Sequence, residues 1–85
     1  MKNDESASEI DRLHNAILHY LQSNPNAADS LEGIMNWWLP KVGYEQVDAK
    51  EVLLALERLM ATGAVEKIPL VDGTVLYRSI TRFER

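Results

Sequence analysis

The reactive inventory of this 85-residue chain is short: two histidines, three tyrosines, thirteen carboxylates and no cysteine. His14 and His19 stand five residues apart, whereas two histidines ligating one metal from one helix face need i,i+3 or i,i+4 spacing. Neither has an obvious carboxylate partner except Asp11, one turn before His14. No Gly-rich phosphate loop is present, and no serine stands within a nucleophile motif. Asp29 with Glu32, and Asp48 with Glu51, have the spacing of capping boxes, which assigns those carboxylates to helix starts. The expectation is a chain with no catalytic residue, no cofactor and no metal.

Recognition chemistry is what remains, and two residue sets compete for it. Lys50, Lys67 and Arg78 could touch phosphate. Leu53, Leu54, Ile68, Leu70, Val75, Tyr77 and Trp37 could meet another protein, because β-formers and leucines recur on more faces than one small domain can bury. The segment Val52-Leu53-Leu54-Ala55-Leu56 is apolar all round a helix, which a helix with one face in water does not need. Charge favours the second set. The net charge is -4; residues 48–62 carry Lys50 and Arg58 against Asp48, Glu51 and Glu57, and residues 64–80 balance Lys67 and Arg78 against Glu66 and Asp72. DNA affinity rests largely on phosphate neutralisation, so an acidic helix and a neutral hairpin disfavour it unless Lys50, Lys67, Arg78, Arg82 and Arg85 converge.

The elements that position these residues follow from periodicity. Ile10, Leu13, His14, Ile17, Leu18 and Leu21 lie on one helical face, with Ser6 and Glu9 as a capping box before them and Asn24-Pro25-Asn26 as the stop. His14 falls at the edge of that stripe and His19 in solvent. A second helix starts at Asp29, carries Leu31, Ile34, Met35 and Trp38 inward, and stops near Leu39 because of Pro40. Trp37 points about a hundred degrees away from Trp38, as a lid on the core edge or as an interface anchor. Residues 41–47 form a connector with Gly43 as its hinge.

A third helix runs from Asp48 to Gly63, opened by Asp48 and Glu51 with Val47 and Val52 as a hydrophobic staple, and closed by a left-handed Gly63. Two strands follow, with Asp72-Gly73 between them as a two-residue type I′ turn. That loop sets Leu70 opposite Val75, Ile68 opposite Tyr77 and Val65 opposite Ile80. Ile68, Leu70, Val75 and Tyr77 would then share one face.

Three helices running into a hairpin resemble the winged helix-turn-helix superfamily, and Val52, Ala55, Leu56, Leu59, Gly63 and Val65 stand where its third helix reads V-x-x-A-L-x-x-L-x-x-x-G-x-V. The hairpin, with Asp72-Gly73 and then Leu76-Tyr77-Arg78, is similar to the wing of ArsR-type repressors. Residues 28–34 running into Trp37-Trp38-Leu39 also look like a small bacterial winged-helix group of obscure role. The resemblance implies an α+β fold, a three-helix winged helix-turn-helix with a C-terminal two-stranded wing. DNA readers of this kind place polar or basic residues on the third helix, where this chain has Leu53 and Leu54.

At 85 residues and 46% hydrophobic composition, one domain is expected, over residues 8–85, after a disordered tail at residues 1–7. No apolar run reaches the ~20 residues of a bilayer span and the first nine residues lack a signal-peptide pattern, which places the expected protein in the cytoplasm, away from membranes. The functional expectation is a non-catalytic module for protein interaction, assembly or regulation, self-association included. The alternative is a winged-helix transcriptional regulator that binds DNA.

Overall fold

Helix α1 spans Glu5–Ser23 in a computed structural model that describes residues 5–80. Ser6 therefore lies within the helix rather than at its cap; residues 1–4 lie outside the described residues, as do residues 81–85 with Arg82 and Arg85. The chain leaves α1 at the predicted Asn24-Pro25 break. Leu13, Ala16, Ile17 and Leu21 form its buried stripe, while His14 is half-buried and His19 exposed.

Strand β1, Ala28–Asp29, is an addition to the sequence reading. It pairs with the last strand, so the sheet has three antiparallel strands rather than two. Helix α2 then covers residues 31–41. Its N-cap is Ser30, one residue later than expected: the Ser30 hydroxyl accepts from the Gly33 N–H at 3.2 Å. Asp29 instead accepts from the Ser30 N–H at 2.8 Å.

Pro40 does not end α2. Between Ile34 and Trp38 the helix widens into π turns, in which the Leu39 N–H donates to the Ile34 carbonyl five residues back. A proline ring within a helix crowds the carbonyl four residues earlier and offers no donor to it, and a wider turn just before the ring accommodates both deficits. The widening also brings Ile34 and Leu39 onto one face, and both are fully buried. Trp38 is buried beside them, stacked on Tyr20 of α1 with ring centroids 4.9 Å apart.

Gly43 is a helix cap rather than a hinge. With φ of 99° it closes α2: the Tyr44 N–H reaches the Leu39 carbonyl at 2.8 Å and the Gly43 N–H reaches Pro40 at 3.1 Å. Helix α3, Ala49–Ala61, ends in the same way at Gly63, where φ is 82° and Ala64 N–H donates to Leu59 at 2.9 Å. Both are Schellman motifs, which need a left-handed residue and so favour glycine. Asp48 caps the other end of α3, accepting from the Lys50 N–H at 3.3 Å. Val52, Ala55, Leu56 and Leu59 pack inward from α3, and Val65 and Tyr77 close the core from the sheet.

Strands β2, Val65–Pro69, and β3, Val75–Ser79, form the hairpin, but one residue away from the expected register. Ile68 faces Leu76, Lys67 faces Tyr77 and Pro69 faces Val75. The loop has three residues, Val71-Asp72-Gly73: Gly73 N–H donates to Leu70 at 3.0 Å and Leu70 N–H to Thr74 at 2.7 Å. Only Gly73 has positive φ, at 93°, whereas a type I′ turn requires it at Asp72 as well. The Asp72 carboxylate accepts from the Thr74 N–H at 2.9 Å, which favours a type I turn closed by a glycine bulge. The expected face of Ile68, Leu70, Val75 and Tyr77 is thus split. Val75 and Tyr77 turn toward the helices with Val65, and Ile68 and Leu70 turn outward with Leu76.

Sheet order β1-β3-β2 leaves β2 at an edge. In the ladder, residues 66, 68 and 70 bond toward β3, and residues 65, 67 and 69 point their backbone groups away. Pro69 occupies one of the outward positions, where a missing N–H forfeits no ladder bond. The whole is an α+β arrangement of three helices and a small antiparallel sheet in the order α1-β1-α2-α3-β2-β3, compatible with a winged helix.

Candidate interaction surface

The apolar run of α3 divides by helical phase. Val52, Ala55 and Leu56 are buried, Leu53 packs at the edge of the core, and Leu54 is 48% exposed. Leu54 shares its side of the helix with Lys50 and Arg58, both exposed. At the hairpin tip Leu70 and Val71 are exposed, Val71 completely. Tyr77, expected on a partner-facing surface, is 6% exposed and belongs to the core, because the register shift turns it inward. Val75 is half-buried against the same core.

Trp37 is 64% exposed, the most open aromatic among the described residues. It lies two residues beyond Met35, about half a turn round α2, so it does not join the side of that helix that faces the hairpin. The expected interface residues are therefore distributed rather than gathered. Leu54 looks out from α3, Leu70 and Ile68 from the outer sheet face and Trp37 from the far side of α2, whereas Val75 and Tyr77 lie on the inner sheet face, against the core.

The candidate phosphate contacts fare differently from one another. Arg78 is held across the sheet by Glu66, Nε to Oε2 at 2.7 Å, which neutralises it locally. Arg58 is paired with Asp11 of α1. Lys50 and Lys67 are exposed, and neither has a carboxylate partner among the described residues. Two separate lysines on an acidic domain are a weak electrostatic footprint for a duplex.

An open groove of about 540 Å³, which the sequence did not reveal, runs between α2, the first turn of α3 and the inner face of the hairpin. Leu31, Met35, Val75 and Tyr77 line it, with Ala49 and Thr74 at its walls. On the other side of Met35 a second depression continues over Val47 toward Glu45 and Asp48. The Tyr77 hydroxyl titrates above its ordinary value of 10.0, first because burial disfavours the phenolate and second because the Glu57 carboxylate repels it. No cluster of three or more potential metal ligands occurs among the described residues, and none of the described helices is long and apolar enough to cross a membrane.

Compared with known proteins, the chain matches no family model, no curated protein and no solved structure.

Proposed function

We propose that this chain is a winged-helix module that binds another protein surface, a second copy of itself included, and that it serves assembly or regulation rather than catalysis. The observation that carries this reading is Leu54: a large apolar side chain, 48% exposed, at the centre of the helix face that a DNA reader of this architecture would lay in the major groove. The exposed leucine and valine at the hairpin tip support it, since a phosphate-gripping wing carries cations there. DNA binding through Lys50 and Lys67 is the competing reading, and the pairing of Arg78 with Glu66 weighs against it.

Leu54→Arg tests the proposal. At an exposed helix position the substitution leaves folding nearly intact, within about 0.5 kcal/mol, while a cation in an apolar interface disrupts association. The expected outcome is an unchanged melting temperature with lost self-association in light scattering at micromolar concentration, or lost binding to an identified partner. A folded variant with unchanged mass and undiminished partner binding would reject Leu54 as part of the interface.

A further inference from the structure

We infer that the groove between α2, α3 and the hairpin is the docking site for a short basic amphipathic helix from another protein; the inference rests on the protein-binding reading and supplies the partner's chemistry. The floor formed by Leu31, Met35, Val75 and Tyr77 offers anchorage for apolar side chains. The two depressions that meet at Met35 contain three carboxylates, those of Glu32, Glu45 and Asp48, and no lysine or arginine. Lys67 stands opposite Tyr77 across the hairpin. The acidic character thus belongs to the α2 and connector side, and a partner placing its cations there satisfies both sides of the groove.

The walls of the groove suit a helix. Leu31 and Met35, one turn apart on α2, form a ridge along it, with Ala49 of α3 also at its wall. An amphipathic helix packs its i, i+3 and i+4 side chains against such a ridge and brings its backbone hydrogen bonds already satisfied.

The test is selection of random 16-residue peptides displayed on phage against the full chain, followed by titration of the enriched peptides as free synthetic molecules. Expected are peptides with apolar residues at i, i+3 or i+4, and i+7, flanked by lysine or arginine. Their affinity should fall at least ~10-fold for Ala49→Arg, which fills the groove wall, and ~5-fold for Glu32→Lys, which reverses a rim charge. Both positions are exposed, so both variants should melt like the parent. Ala49→Gln, longer but uncharged, separates blocking from repulsion and carries the test if the arginine variant fails to fold. Enriched peptides that are acidic, or that bind Ala49→Arg and Ala49→Gln undiminished, overturn the groove. If such peptides are instead lost in Leu54→Arg, protein binding stands and only its location is wrong. No enriched peptide overturns the groove, and a parent that also shows no self-association removes the protein-binding reading with it.

Discussion

The carboxylate of Asp29 occupies the space that a β-carbon on Gly33 would need. Glycine at this helical position costs stability relative to alanine, and here the cost is offset by a close approach: Asp29 can fold over α2 and hold the Ser30 N–H. The strand β1 is in this way fastened to the start of α2, and Asp29 pairs with Tyr77 across the sheet.

A double-mutant cycle on this pair should show coupling of about 1 kcal/mol. In the parent, Gly33→Ala gains helix propensity but displaces the carboxylate from its hydrogen bond, so stability changes little. In an Asp29→Ala background the same substitution should stabilise by about 0.5–1 kcal/mol. Denaturant midpoints of the four proteins measure it, and equal effects of Gly33→Ala in both backgrounds would refute the steric link.

Gly63→Val should cost more than about 1 kcal/mol, because a β-branched residue resists the left-handed backbone that closes α3. Nothing lies within 4 Å of the added β-carbon. Any loss is therefore conformational, and thermal melting beside Gly63→Asn, whose side chain tolerates the left-handed region, isolates it.

Tyr77 should ionise above pH 10.0, and Glu57→Gln should lower its midpoint by removing the smaller of the two causes. The folded-state pKa is raised, so this residue's contribution to stability is fully present below the unfolded value and is lost as pH rises through the folded one. Ultraviolet titration of phenolate, compared with Tyr77→Phe, assigns the transition. A midpoint unmoved by Glu57→Gln would remove the carboxylate's influence.

Sequence-independent binding to duplex DNA at physiological salt should be no tighter than ~10⁻⁴ M. Fluorescence anisotropy over a salt series reads it directly. Micromolar affinity with a steep salt slope, abolished by Lys67→Glu, would reverse the order of the two functional readings.

The helix boundaries most visible in the sequence were those set by single residues with one conformational meaning. Gly63 is a cap in both readings, and Asp48 opens α3 as expected. Asp72-Gly73 was ambiguous, because the dipeptide serves equally as the whole of a two-residue turn or as the end of a three-residue one. The side-chain bond from Asp72 to Thr74 decides between them, and it exists only in the folded loop. That single residue of register determined which apolar side chains are core and which are surface, so the proposed contacts at Val75 and Tyr77 changed face while Leu54 kept its exposure. Pro40 misled for a related reason: a helix can continue past proline if the preceding turn widens, and no local pattern announces π geometry. The groove was illegible because it joins residues from three elements distant in sequence.

Pro69 has a consequence for how the molecule behaves when crowded against copies of itself. Stacking sheets into fibrils requires each edge to template the next chain, and the open edge of β2 presents a gap at Pro69 and a charged lysine at the outward-facing residue before it. At this edge the missing donor and the neighbouring charge both oppose growth by backbone zippering.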